Sequence, residues 1–257
     1  LAILACTACS KTNDSAPEEE AQGKMVEYQM MVRLFGNDNT TNIYNGTREQ
    51  NGCGRMSDIT TEALQSIKRL GANYVWYTGI IQQATKTDWS AYGLPRQTAD
   101  VVKGRAGSPY AICDYYDIDP DLAVNEDKRM EEFEALVQRT HKAALKMIID
   151  FVPNHVARQY KSIAKPKGVK DLGSNDITSE GFSPQNNFYY CPGCHFEPYF
   201  DKQDYDEFPC RATGNDCFGN HPGQNDWYET VKLNYGKDYW TNFGHFDPIP
   251  DTWKKMT

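Results

Sequence analysis

Lys146-Met147-Ile148-Ile149-Asp150-Phe151-Val152-Pro153-Asn154-His155 is the stretch whose reading decides the fold. Its apolar run reaches Val152 almost without interruption, which predicts a strand in a parallel sheet covered on both faces. Pro153 has no N–H to donate, so the ladder ends there. A carboxylate (Asp150), an amide (Asn154) and an imidazole (His155) therefore gather at the C-terminal end of a parallel strand. That is the end at which α/β barrels carry their active sites.

Working upstream, residues 126–144 predict a helix that turns Met130, Phe133, Leu136, Val137 and Thr140 inward. Tyr74-Val75-Trp76-Tyr77 reads as a short buried strand. Before it, Asp58 caps a helix whose apolar positions Ile59, Ala63, Leu64, Ile67 and Leu70 recur at helical spacing up to Gly71. Residues 26–35 form a first strand with Tyr28, Met30, Val32 and Leu34 on one face, and a polar loop rich in Gly and Asn covers 36–57. Strand, helix, strand, helix, strand with short joints is the grammar of βαβ units, hence an α/β fold. Downstream, residues 156–246 are rich in Gly, Pro, Asn, Asp and Tyr and show no long helical pattern, so they read as an irregular insertion after the third strand. Residues 247–257 look like the start of a further helix.

Lys+Arg 27 against Asp+Glu 35 leaves a formal charge of −8. Such a chain, with no basic stripe, is a poor match for a phosphate backbone, and no nucleic-acid partner is expected. A hydrophobic fraction of 39% with 12% aromatics is enough for a core. The N-terminal residues 1–9 run Leu1-Ala2-Ile3-Leu4-Ala5 into Cys6-Thr7-Ala8-Cys9. This is the tail of a secretory apolar region, far short of the about 20 residues that span a bilayer. A Cys behind a small residue resembles a bacterial lipoprotein signal; Cys9, after Ala8, is the chosen lipid attachment site and Cys6, after Ala5, the rival. Residues 10–25 are polar and acidic, a solvated tether. The expectation is an exported lipoprotein held at a membrane, in the periplasm or at the cell surface.

Three motifs carry a family resemblance. Asp150-Phe151-Val152-Pro153-Asn154-His155 resembles the first signature region of the α-amylase family, glycoside hydrolase family 13, written Asp-x-x-x-Asn-His at the third barrel strand. Ser108-Pro109-Tyr110-Ala111-Ile112-Cys113-Asp114-Tyr115 resembles that family's His-Gly-Tyr-Trp-x-x-Asp-Tyr stretch. Thr230-Val231-Lys232-Leu233-Asn234 resembles the Met-Pro-Lys-Leu-Asn form of neopullulanase-like members. The motifs fall in family order, and the resemblance spans about residues 26 to 257. It implies the first three or so strands of a (β/α)8 TIM barrel over 26–155, the family's domain B over 156–246, and a truncated barrel helix over 247–257.

The resemblance also implies roles. Tyr110 would stack on the sugar ring at the scissile bond, and His155 would hydrogen-bond that sugar's 6-hydroxyl. Asp150, Asn154 and Asp114 would serve the architecture of the site. The complete protein would hydrolyse α-glucans (starch, maltooligosaccharides, pullulan) with retention; the alternative is a non-catalytic α-glucan binder of the same fold. Ser108 stands where the family has a sugar-contacting His. Lys232 stands where many amylases have a calcium-ligating Asp, and an ammonium cannot ligate a cation, so no cofactor is required on this reading and calcium is disfavoured. Retaining hydrolysis needs two carboxyl groups. The family's Gly-x-Arg-x-Asp nucleophile motif does not occur in the chain, so the expectation is an N-terminal fragment, inactive by itself.

Other signals point outward from this frame. Trp89 and Tyr92, and also Phe188, Tyr189 and Tyr190, lie on loops expected near the cleft and are candidates for stacking on outer sugars. Cys191, Cys194, Cys210 and Cys217 allow a zinc site, but the spacing of the second pair and an oxidising compartment favour disulfides of undetermined connectivity. Cys53 and Cys113 read as free thiols or one bridge. Asp201, Asp204, Asp206 and Glu207 form an acidic group that reads as a solvated loop.

Overall fold

The computed structural model describes residues 24–240 of the 257. Cys6 and Cys9, and the helix expected within 247–257, lie outside the described residues. In chain order the elements are strand β1 (Glu27–Met31), helices α1 (Arg48–Asn51) and α2 (Thr61–Arg69), strands β2 (Tyr74–Thr78), β3 (Ile81–Gln83) and β4 (Ile112–Ile118), helix α3 (Arg129–Lys142), and strands β5 (Lys146–Ile149), β6 (His155–Ala157), β7 (Tyr190–Cys191), β8 (Cys210–Arg211) and β9 (Thr230–Lys232).

The βαβ reading holds. β1, β2 and β5 form one parallel sheet in that order, with Gln29 beside Trp76 and Trp76 beside Ile148. Alternation along β2 sends Val75 and Tyr77 to one side, where they are fully buried with Leu64 and Ile67 of α2 and Leu136 of α3. The Tyr77 hydroxyl is satisfied inside that core by the Thr140 hydroxyl at 2.7 Å. Trp76 points to the opposite side, toward the end of β5. Beyond this sheet the chain forms antiparallel pairs, β3 with β4, β6 with β9 and β7 with β8.

Several sequence expectations are corrected. The first strand stops at Met31 instead of Phe35, because the chain turns there: the N–H groups of Leu34 and Phe35 both return to the Met31 carbonyl. Leu34 is consequently 64% exposed. The residues 36–57 expected as loop contain α1, whose Thr47 and Gln50 form a reciprocal capping box. Helix α2 is capped by Thr60, not Asp58; Asp58 instead accepts from the Arg55 N–H at 2.7 Å and closes a separate 3₁₀ turn. Leu70, expected inward, is 74% exposed past the helix end. On α3, Leu136 and Thr140 are buried whereas Met130 is exposed. Finally, β5 pairs only with β2 among the described residues. Its Ile149 and the following Phe151 are exposed, so the apolar run there is not covered on both faces.

Candidate active site

The C-terminal ends of β2 and β5 are tied together by Asp150. Its Oδ1 accepts from the Trp76 indole N–H at 2.7 Å and its Oδ2 from the Gly79 N–H at 3.2 Å. Both carboxylate oxygens are thus engaged with neighbouring backbone and side chain, which fixes the loop after β2. Gly79 has φ +71°, and a Cβ there would stand 2.9 Å from the Pro109 side chain. Glycine lets the segment carrying Tyr110 lie directly on the strand end.

Tyr110 caps this arrangement. Its N–H donates to the Ser108 hydroxyl at 3.3 Å, so the Ser that replaces the family's His shapes the turn. Tyr110 itself is 41% exposed. It stands close enough to the His155 ring for its backbone to favour the protonated imidazole. On the other side, Asn154 Nδ2 donates to His155 Nδ1 at 2.9 Å and to the Gly214 carbonyl at 2.9 Å. Because that amide nitrogen must donate, Nδ1 accepts, and the neutral ring carries its proton on Nε2. His155 is only 6% exposed. Burial pushes its pKa below the ordinary histidine value; the Tyr110 backbone opposes this and the Lys232 ammonium reinforces it. The imidazole is therefore neutral at neutral pH. Gly214 permits this depth, since a Cβ there would come within 2.9 Å of the His155 side chain.

Lys232, opposite His155 in the β6–β9 register, is itself nearly buried and pairs with Asp216 at 2.5 Å. The Lys232 ammonium is thus already bound to a carboxylate. Asp114 lies within β4, fully buried. It accepts from the Ser162 hydroxyl at 2.6 Å and from the backbone N–H groups of Ile163 and Ala164, holding the start of the long segment after β6.

Tyr110, His155, Asn154 and, through Gly79 and Pro109, Asp150 are thus brought together. Trp89 is not available as a sugar platform: it is 7% exposed, with the Arg48 guanidinium 4.8 Å from its ring centroid. Tyr92 packs against its edge. Phe188, Tyr189 and Tyr190 are buried as well. The disulfide expectation is also corrected, since Cys191, Cys194, Cys210 and Cys217 are free thiols, as are Cys53 and Cys113. Cys191 and Cys210 face each other across β7 and β8, and among the described residues no group of three or more His, Cys, Asp or Glu side chains is arranged to hold a metal. The acidic group is not wholly solvated. Glu207 turns inward to Arg158 at 2.8 Å and Arg211 at 2.7 Å.

Sequence reasoning missed Trp227, which is 43% exposed and meets the His155 ring edge-on at 5.2 Å. Nothing local marks it; only the β6–β9 pairing brings it to His155.

The family description "Alpha amylase, catalytic domain" matches residues 29–207. Among curated proteins, the chain is 27% identical over 148 residues to Alpha-amylase 2 of Dictyoglomus thermophilum, covering 58% of this chain and 21% of that one. It is 31% identical over 138 residues to trehalose-6-phosphate hydrolase of Bacillus subtilis, covering 54% and 18%. Among solved structures, an alpha-amylase from Lactobacillus plantarum aligns at 27% identity and a TM-score of 0.36, over 52% of this chain and 24% of that one. The chain spans about a fifth of the length of the curated relatives it matches.

Proposed function

We propose, from the premise that this chain belongs to the α-amylase catalytic-domain family, that the complete protein is a retaining glycosidase of α-glucans such as maltooligosaccharides and pullulan. The observation that carries the reading is the Tyr110–His155 unit, held at the C-terminal end of the parallel sheet beside the Asp150 tether. The ring of the exposed Tyr110 supplies a flat apolar face for the C–H face of a glucose ring. A neutral His155 offers its Nε2–H to a sugar hydroxyl. That bond fixes the ring in position for reaction, so its loss costs turnover as well as binding.

These residues bind and orient. The nucleophile and the acid/base, about 5–5.5 Å apart in a retaining enzyme, would come from the rest of a longer protein. The test is proton NMR of maltopentaose hydrolysis by the complete protein. Release of the α-anomer first is expected, and the β-anomer first would overturn the reading.

We infer from Lys232 that no calcium is required, and from residues 1–9 that the complete protein is an exported lipoprotein acylated at Cys9. Mass spectrometry of the host-expressed protein should find acyl chains on that thiol. An intact, unmodified peptide across Cys9 would contradict the anchor.

A further inference from the structure

The segment that follows β6 encloses, with Tyr116 of β4, a cavity of about 420 Å³ whose lining includes Tyr160, Lys165, Lys167, Lys170 and Asp171. In a chain of net charge −8, three ammonium groups against one carboxylate is a local reversal of sign. That carboxylate is already engaged: Asp171 accepts from the Lys165 ammonium at 2.9 Å and from the Ser162 N–H at 3.0 Å. Lys170 gives one N–H to the Asn175 side-chain oxygen at 3.0 Å and keeps two. Lys167 has no ion pair or side-chain hydrogen bond among the described residues. Both belong to a braced turn, in which the Val169 N–H returns to the Pro166 carbonyl at 3.1 Å and Gly168, at φ +86°, supplies the positive φ that such a turn needs. The aromatic wall is rigid. Tyr160 packs on Tyr115 at 5.9 Å, and the Tyr115 hydroxyl is fixed on the Val152 carbonyl at 2.6 Å.

A rigid aromatic wall beside two ammonium groups with unused donors suits a ring that carries an anionic group. A phosphate accepts several N–H donors at once, and lysine acts on it as a point charge that needs no fixed fork geometry. The volume is that of a site for a small organic molecule. We propose that this cavity binds a small phosphate ester of a ring compound, with the phosphate on Lys167 and Lys170 and the ring on Tyr116 and Tyr160. A neutral glucan gains nothing from the ammonium groups, so the ligand class differs from that of the Tyr110–His155 unit.

The test is titration calorimetry of the complete protein without glucan, with phenyl phosphate as the probe and inorganic phosphate and phenol as its two halves. Phenyl phosphate should bind with a Kd of about 1 mM or tighter, and each half about tenfold more weakly. Replacing both lysines, Lys167→Glu with Lys170→Glu, should weaken phenyl phosphate about tenfold or more. Lys142→Glu, a charge reversal on α3 outside the cavity, should leave it unchanged. Lys167 and Lys170 are exposed, so the fold tolerates their replacement; should the double variant melt at lower temperature, Lys167→Gln with Lys170→Gln replaces it, with the same loss expected. The proposal is overturned if phenyl phosphate does not bind, if inorganic phosphate binds as tightly, if the lysine pair can be replaced without loss, or if Lys142→Glu weakens binding equally.

Discussion

Tyr110 is 41% exposed while the neighbouring His155 is buried, so the two residues fail differently when removed. In the complete protein, Tyr110→Ala removes a stacking face worth on the order of 1 kcal/mol beyond its area, and a several-fold rise in KM is expected. His155→Ala should lower kcat more than it raises KM, and an unchanged kcat would refute its role. Burial, opposed by the Tyr110 backbone and aided by Lys232, keeps the His155 pKa below its ordinary value. Lys232→Met should therefore move the His155 midpoint upward, as read from its ring protons by NMR; no movement would show that the ammonium is not felt. A neutral ring preferred by the fold contributes stability above the ordinary histidine pKa, and that contribution fades as pH falls below it. Single residues were legible in the sequence where a motif ties them to a strand end, as with Asp150 and His155. Trp89 was not, because its cover is Arg48, a residue of another segment.

At the scale of elements, β2 and α3 were legible because local periodicity decides them. Their ends were not, because capping by Thr60 and the turn after Met31 depend on which of several polar groups wins a backbone partner. The segment from β6 to β9 carries little periodicity and is held instead by polar interactions, chief among them Glu207 between Arg158 and Arg211. Burial opposes ionisation of Glu207, but the two guanidinium charges outweigh it and hold the pKa down to about 2. Stability from this group is therefore present above the ordinary carboxylate range and is lost as pH falls toward 2. Glu207→Gln leaves the buried Arg158 and the half-buried Arg211 short of their counter-charge, and a loss of about 3–5 kcal/mol in urea unfolding is expected. A loss below about 1 kcal/mol, the level of a surface pair, would show that this centre is not what holds the segment.

For the whole molecule, the parallel order β1-β2-β5 agrees with the family to which the chain belongs. The fold class was legible because strand and helix alternate with short joints. The arrangement of the residues after β6 was not, since it rests on contacts between segments distant in sequence, such as Arg158 with Tyr228 and Asn154 with Gly214. On the function proposed here, this segment would orient the sugar and carboxylates outside it would break the bond. The most direct measurement is reducing-sugar release from maltooligosaccharides and pullulan, run side by side on the complete protein and on the 257-residue chain. The account predicts release by the complete protein and none by the chain alone; turnover by the chain alone, or none by the complete protein, would contradict it.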